Sequence, residues 1–330
     1  MATEPEEAHP YPEEEGGPTK SFLEHLEDLR WMLMKCAAAI AVGFLVCLFA
    51  APSVVKVLKW PLERSALGKP PTNPRLTLMV GTNRLGSFNL DTNRLSLFGS
   101  NRHTVLELVP LDIGSNRVLA LQPSTNEATL AAAQQVTLLN FGPASAFLLS
   151  FQMAIYGGIV LGSPFLLYFI GQFVFPALKL NEKKYAGSGL FIGITLFMSG
   201  ITFCYFFLMP TALNAAVKYS EWMGFKADQW RAEEYINFVC KFLLGMGLGF
   251  EMPVVILVLV KIGVVTYRQL ASFRRYMIVI NLVLGAVLTT PEIITQIMMA
   301  VPLQILYEIS VWIAWYWEKK QRQRDQLVSG

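Results

Sequence analysis

One carboxylate stands in a run of apolar residues that is long enough to cross a lipid bilayer. Glu251 is the only charged side chain in LLGMGLGFEMPVVILVLV, residues 243 to 260. Moving a carboxylate into hydrocarbon costs at least a few kcal/mol, so an acid inside a span usually has a functional partner. Lys241 and Lys261 lie near opposite ends of this span, too far along a helix axis to pair with it. The chemistry open to Glu251 is therefore proton or ion binding, or a hydrogen bond to another helix.

Proteolysis inside the membrane would need a second catalytic group, and the sequence does not supply one. GLGFE is similar to the G-x-G-D motif of aspartyl intramembrane proteases, but all five aspartates lie outside the apolar segments. AGSG around Ser188 approaches the G-x-S-G of rhomboid proteases, but no histidine lies in a span to activate the serine. The three histidines are far apart, and the four cysteines show no C-x-x-C spacing. We therefore expect no catalytic residue, no metal and no cofactor.

The composition indicates the class of protein in which Glu251 lies. Hydrophobic residues make up 53% of the 330 residues, charged residues only 15%, and the mean hydropathy is +0.43. This is more apolar surface than a soluble domain can bury, so the chain is predicted to be a membrane protein. The net charge is only +3, and no basic stretch is interleaved with aromatic residues. Nucleic acid is therefore not indicated as a partner.

Six segments are long or apolar enough to span a membrane. They cover residues 33–51, 147–175, 190–213, 238–260, 276–289 and 293–315. The fifth is short for a hydrocarbon core of about 30 Å, and TTPE leaves room only for a tight turn before the sixth. The sequence predicts an all-α polytopic membrane protein whose last two spans form a short hairpin.

Lysine and arginine are concentrated in alternate short loops. They are Lys20, Arg30 and Lys35 before span one, Lys179, Lys183 and Lys184 after span two, Lys261, Arg268, Arg274 and Arg275 after span four, and Lys319, Lys320, Arg322 and Arg324 after span six. The positive-inside rule places these loops and both termini in the cytoplasm. Six arginines between spans one and two do not oppose this, because loops longer than about 60 residues escape the rule.

The polar segment between spans one and two is predicted to be a small β-rich extracytoplasmic insertion. GTNRLGSFNL, DTNRLSLFGS, GSNRHTVLELV and GSNRVLAL repeat a turn signal that leads into a short β-prone stretch. A β-meander over residues 68–138 is the simplest interpretation. Before the insertion, we expect a disordered acidic cytoplasmic tail over 1–20, and then an amphipathic helix, span one and the start of the outer loop over 21–67. After it, we expect spans two to six over 139–318 and a basic cytoplasmic tail over 319–330.

The segment before span one, SFLEHLEDLRWMLMK, is predicted to be an amphipathic helix that runs into the membrane. Its apolar residues recur at helical spacing, and Ser21 with Glu24 fits a capping box. The polar face carries Glu24, Glu27, Asp28 and Arg30. Such charges usually form a solvated face, so this pattern alone does not identify a site.

Motifs along the whole chain resemble, in order, those of the TatC family, the multispanning core of the twin-arginine protein translocase. HLEDLR resembles the family's H-L-x-E-L-R, and FVFPALKLNEKK its first cytoplasmic loop. FMSGITFCYFFLMP is similar to the third span, GFEMPV to the fourth, and LTTPEIITQ with AVPLQILYEI to the last hairpin. The sequence departs from the family at Asp28, where Glu is usual, and at Glu292, where Asp is usual. It also departs at Met32, where a basic residue is usual. The resemblance does not extend to the insertion.

The resemblance implies a curved, cup-like bundle of six helices in a bacterial cytoplasmic (inner) membrane. It implies a receptor that binds the Arg-Arg signal peptides of folded cargo proteins and exports the cargo using the proton-motive force. Asp28 and Glu182 would bind the Arg pair, because guanidinium groups match carboxylates in planar, bidentate geometry. Arg30 and Phe173 would also belong to this signal-peptide site.

The resemblance also implies partners and helix bends. Single-span subunits of the TatA and TatB type would contact Glu251, Gln296 and Tyr205, within a receptor complex that is also homo-oligomeric and surrounded by membrane lipid. Six prolines near span ends or within spans would fix bends. They are Pro61, Pro164, Pro176, Pro210, Pro253 and Pro302.

Two other functions are consistent with parts of the sequence. A proton- or ion-coupled secondary transporter would use Glu251 as its ion site, although spans one to three show no convincing repeat in spans four to six. A membrane-anchored binding protein would act through the insertion.

Overall fold

The structure, a computed structural model, describes residues 22–66, 75–89, 103–114, 116–127, 129–130, 137–174, 180–225, 229–288 and 293–329. The predicted N-terminal tail lies outside these ranges. Six helical segments within them are long and apolar enough to cross a membrane: Leu23–Phe49, Ser145–Val174, Gly187–Trp222, Ala232–Ile262, Tyr267–Leu288 and Ile293–Gln323. The six predicted spans are confirmed. The fifth is the shortest of them, but at 22 residues it is longer than predicted, because its helix already begins at Tyr267.

The helices cover most of each apolar segment, and several continue well into polar sequence. Their bounds are α1 Phe22–Phe49, α2 Ala51–Ala66, α3 Ser145–Val174, α4 Leu180–Phe203, α5 Met209–Trp222, α6 Ala232–Phe250, α7 Met252–Ile262, α8 Tyr267–Leu288 and α9 Ile293–Ser329. The predicted amphipathic helix and span one are one continuous helix, α1. Span three consists of α4 and α5, and span four of α6 and α7.

Two prolines stand directly after interruptions of a helix. Before Pro210, Cys204–Leu208 form a π-helical turn, and the N–H of Met209 donates to the carbonyl oxygen of Cys204. Before Pro253, α6 gives way to α7 at Glu251. Proline has no N–H to donate, so the regular ladder cannot continue unchanged through these positions. The helices run on through Pro61, Pro164 and Pro302, while Pro176 lies outside the described residues.

Glycines allow α1 and α3 to cross at very short range. A Cβ built on Gly158 would lie 2.7 Å from the backbone N of Phe44 and 3.0 Å from the carbonyl oxygen of Ile40. A Cβ built on Gly43 would lie 2.7 Å from the carbonyl oxygen of Gly158. Without a hydrophobic driving force in lipid, close packing of small residues is a main source of helix association. This crossing ties span one to span two.

The core of the bundle lies between α2, α3, α5, α6, α9 and the π-helical turn. It is built mainly from large, flexible and aromatic side chains, including Met153, Leu208, Met209, Phe242, Met246, Met299 and Leu303. All four cysteines are buried and free of disulfides. Short strands β5 (Thr137–Leu139) and β6 (Gln229–Arg231) pair in parallel just before α3 and α6. This pairing starts spans two and four on the same side of the bundle.

The insertion contains strands β1 (Arg75–Val80), β2 (Asn83–Asn89), β3 (His103–Ile113) and β4 (Asn116–Pro123). Two of the predicted turns are present, at Gly81 and Gly114, where φ is 58° and 64°. The turns at residues 91–94 and 99–102 lie outside the described residues. The predicted β-meander is wrong, because the strand order is β2-β1-β3-β4 and β1 pairs with β3 in parallel. Each turn signal specifies a local hairpin, whereas the pairing between hairpins is non-local and leaves no turn signal.

Candidate functional site

The beginning of α1 packs against the end of α3. The imidazole of His25 stacks on the ring of Phe173, with centroids 4.6 Å apart and planes inclined by 21°. The Nζ of Lys35 lies 5.9 Å from the centroid of the Phe169 ring. The two helices are antiparallel, since later residues of α1, such as Phe44, meet earlier residues of α3, such as Phe151. The His25 and Phe173 contact therefore fixes the point at which the chain leaves α3 for the next loop.

Asp28 lies on the face of α1 that carries this contact. It follows His25 by three residues, a spacing that places two side chains on the same side of a helix. Asp28 is half-buried. Arg30 is two residues further, about 200° around the helix axis from Asp28, and it is exposed. The helix thus groups Asp28 with the aromatic contact and directs Arg30 to another side.

Glu182 lies in the first turn of α4, where the unpaired N–H groups of a helix favour an acid. Its side chain lies outside the described part of the structure, as do residues 175–179. The backbone thus places Glu182 shortly after the loop that leaves Phe173. A shared site for Asp28 and Glu182 stays a prediction.

Glu251 occupies the junction of α6 and α7. Its φ and ψ are −75° and −15°, its N–H donates to the carbonyl oxygen of Leu248 at 3.1 Å, and its own carbonyl oxygen accepts from Val255 at 3.0 Å. Pro253 supplies no N–H, so the helix is interrupted at the position of the acid. The break positions Glu251 without unfolding the span.

The side chain of Glu251 faces α4 and is only 7% exposed. A Cβ built on Gly193 would lie 3.3 Å from its Oε2, which is tighter than an ordinary contact. Gly193 thus leaves room for the carboxylate where another residue would crowd it. The acid lies at the contact of spans three and four.

Part of the carboxylate of Glu251 is unsatisfied. Among the described residues, its Oε1 has no hydrogen-bond partner. Lys241 and Lys261 are each about 15 Å away along the helix axis, and the Nζ of Lys261 lies 4.9 Å from the ring centroid of Trp317. A buried polar group without a partner costs free energy. Glu251 is therefore suited to accept a hydrogen bond, or when protonated to donate one, to a group outside the described chain.

The other two predicted partner contacts are engaged within the chain. The hydroxyl of Tyr205 donates to the carbonyl oxygen of Val57 at 2.8 Å, and its ring stacks on Trp60 with centroids 5.4 Å apart. The amide of Gln296 donates to the carbonyl oxygen of Leu282 at 2.8 Å. Within the described ranges, no hydrogen bond or ion pair joins Glu251 to either residue. Their joint contact with a partner stays a prediction.

A family model for the Sec-independent protein translocase protein (TatC) matches residues 24–302. This match spans all but the two ends of the chain, and it takes in both α1 and the junction at Glu251. The chain belongs to the TatC family. Like the six spans of the fold, the family assignment agrees with the resemblance seen in the sequence motifs.

Relatives and solved structures support the TatC assignment. A Sec-independent protein translocase protein TatC of Akkermansia muciniphila is 42% identical over 191 residues, which are 57% of this chain and 55% of that protein. The alignment therefore covers only about half of that relative. A TatC of Aquifex aeolicus is 36% identical over 197 residues, 60% of this chain and 82% of that one. A crystal structure of a twin-arginine translocase receptor TatC aligns at a TM-score of 0.61 and 28% identity, over 88% of this chain and 97% of that one.

Polar side chains that the sequence analysis did not single out connect α8 and α9 of this TatC-family protein. The amide of Asn281, which is fully buried, donates to Oε1 of Gln304 at 3.0 Å. The amide of Gln304 lies 3.5 Å from Oε1 of Glu308, and Nε of Arg274 lies 3.3 Å from Oε2 of Glu308. This link was predictable in principle, because each of the two adjacent spans contains a polar residue and such residues often form hydrogen bonds between helices.

Proposed function

We propose that this TatC-family protein is the core receptor subunit of a twin-arginine translocase. It binds the Arg-Arg signal peptides of folded cargo proteins and exports the cargo using the proton-motive force. The observation that carries the proposal is the stacking of His25 on Phe173. This contact holds the start of α1, which carries Asp28, at the end of α3. Glu182 follows α3 shortly afterwards in the chain.

Paired acids suit the ligand chemically. A guanidinium presents parallel N–H donors that match a carboxylate in bidentate geometry, whereas an ammonium is a compact point charge. Two arginines in a signal peptide would engage Asp28 and Glu182, one carboxylate each. Lys183 and Lys184 beside Glu182 oppose the attraction, so the acids must project away from them. A Lys-Lys peptide would keep the charge and lose the geometry.

A second surface serves the single-span partner subunits. The unsatisfied Oε1 of Glu251 supports this proposal. Because the side chain is only 7% exposed, a partner helix would have to reach between spans three and four to complete its hydrogen bonding. Gln296 and Tyr205 would contribute through their exposed edges, while their internal hydrogen bonds hold them in place. The receptor would contain several copies of this chain.

The proposed location is a bacterial cytoplasmic membrane, with both termini in the cytoplasm. The distribution of Lys and Arg supports this orientation. The His25 and Phe173 contact would then face the cytoplasm, where cargo is made, and the β insertion would lie outside. Both placements suit a receptor that takes up cargo from within.

Co-purification tests the proposed function directly. Membranes containing the tagged protein are solubilised and mixed with a twin-arginine signal peptide or its Lys-Lys variant. We expect retention of the Arg-Arg peptide and clear loss of the Lys-Lys peptide. Equal retention of both would reject recognition of the Arg pair.

Two further candidates have distinct signatures. The buried, unpartnered carboxylate of Glu251 also suits an ion-coupled transporter, which would take up a labelled solute into proteoliposomes in response to a proton gradient. A protein acting through its insertion would lose function when residues 72–136 are replaced by a short Gly-Ser linker. We expect neither solute uptake nor complete loss of export in the stably inserted deletion variant.

A further inference from the structure

A cavity opens between α8 and α9 near the first turns of α8. Its volume is about 510 Å³, and it is lined by Tyr267, Arg274, Trp312, Ile313, Trp315 and Tyr316. Arg274 is the one charged residue in this lining. The cavity is separate from both the His25 and Phe173 contact and the Glu251 junction, since neither shares a lining residue with it.

The walls of the cavity mark a membrane–water boundary. Trp312 is 71% exposed, and Trp315 and Tyr316 are exposed as well, although large aromatic rings of this kind avoid open water. Tryptophan and tyrosine concentrate at the level of the lipid headgroups, because one end of the ring is apolar and the other is polar. We therefore expect the cavity to open toward lipid at the headgroup level.

The rim of the cavity is cationic. Arg274 is half-buried, and its Nε lies 3.3 Å from Oε2 of Glu308. The Nζ of Lys319 lies 5.2 Å from the ring centroid of Trp315, and α9 continues with Lys320 and Arg322. Glu318, the nearby acid on α9, pairs with Arg322. With Arg274 beside Glu308 and Arg322 paired with Glu318, Lys319 leaves an excess of positive charge near the opening, which favours a negatively charged ligand.

We propose that this cavity binds an anionic phospholipid, with the phosphate at Arg274 and an acyl chain along Trp312 and Ile313. Basic pockets between transmembrane helices commonly bind anionic headgroups. A free phosphate would use Arg274 but leave the aromatic walls uncovered. A zwitterionic lipid would cover the walls but carry no net charge to match the rim. An anionic lipid satisfies both parts of the cavity.

The proposal does not depend on signal-peptide binding, and its test is separate from that of the proposed function. The full-length protein in detergent is titrated with phosphatidylglycerol, with phosphatidylcholine and with inorganic phosphate, and bound lipid is counted by native mass spectrometry. We expect phosphatidylglycerol to bind more tightly than phosphatidylcholine, and phosphate not to compete. Equal affinity for the two lipids, or displacement of the lipid by phosphate, would overturn the proposal.

A pair of neighbouring arginines supplies a matched control. Arg274→Gln should weaken phosphatidylglycerol binding about tenfold, the effect of losing one hydrogen bond to a charged group. Arg275 is exposed, points its guanidinium over Tyr276 at 5.4 Å and does not line the cavity, so Arg275→Gln should change binding little. Equal losses in both variants would indicate diffuse attraction to a basic surface and overturn a specific site.

A second variant keeps the test decisive if loss of Arg274 disturbs folding by leaving Glu308 unpaired. Trp312→Ala removes an exposed wall of the cavity and leaves every charge in place, so it should also weaken phosphatidylglycerol binding. Ile309→Ala alters an exposed residue of the same helix outside the cavity and should not. Unchanged lipid binding in Trp312→Ala would contradict the proposed acyl-chain contact.

Discussion

At the scale of single residues, a carboxylate buried between helices is stable only if it is protonated or receives hydrogen bonds. Glu251 lies against Gly193 with one oxygen unsatisfied among the described residues. The sequence could identify this residue, because an acid in an apolar span is conspicuous. It could not identify His25 as the neighbour of Phe173, since the two are distant in the chain and only folding brings them into contact.

We predict that Glu251→Gln retains most export and most cross-linking to the partner subunits, because an amide still donates and accepts hydrogen bonds. Glu251→Leu should keep the fold and signal-peptide binding but lose partner association. Site-specific cross-linking with purified partner subunits measures the effect, with signal-peptide binding as the control for folding. If the Leu variant and the wild type cross-link equally, Glu251 has no role in partner contact.

At the scale of secondary-structure elements, the crossing of α1 and α3 supports the proposed signal-peptide site. The backbones approach so closely that Gly158 has no room for a methyl group. The same pair of helices carries the His25 and Phe173 contact. A change at the crossing should therefore disturb both the stability of the bundle and the arrangement of the acidic face of α1.

We predict that Gly158→Ala destabilises the protein by about 1 to 3 kcal/mol, the usual cost of overpacking. Gly187→Ala is the control, because a Cβ at that position on α4 meets nothing within 4 Å. Alanine there should be neutral or slightly stabilising, since it favours helix more than glycine does. Thermal unfolding in detergent compares the two variants, and equal midpoints would show that the crossing is not tight.

Elements that depend on local sequence were predictable, whereas contacts between distant segments were not. The spans were predictable because length and apolar composition alone decide whether a segment can cross a bilayer. The two described turns, at Gly81 and Gly114, were predictable because turn chemistry is local. The parallel pairing of β1 with β3 joins distant segments and was not predictable. The π-helical turn before Pro210 depends on which N–H groups donate hydrogen bonds to the neighbouring carbonyl oxygens. The sequence does not specify this pattern.

For the whole molecule, binding of signal peptides from the cytoplasm requires one orientation in the membrane. We predict that Thr82→Cys, at an exposed turn of the insertion, reacts with a membrane-impermeant maleimide added outside, because the proposed orientation places the insertion outside the cytoplasm. Gln321→Cys, exposed near the end of α9, should react only after the membrane is opened. The native cysteines are buried and should add little background. The opposite labelling pattern would invert the topology.

The central claim is that Asp28 and Glu182 recognise the Arg pair of a signal peptide. The most direct measurement compares the affinities of Arg-Arg and Lys-Lys peptides for the wild type and for the Asp28→Ala, Glu182→Ala double variant. The wild type should prefer the Arg-Arg peptide. The double variant should lose that preference. Each lost contact should weaken binding by about 2 to 5 kcal/mol if the ion pair is desolvated, and by under about 1 kcal/mol if it is exposed to solvent. An undiminished preference in a folded double variant would contradict the account.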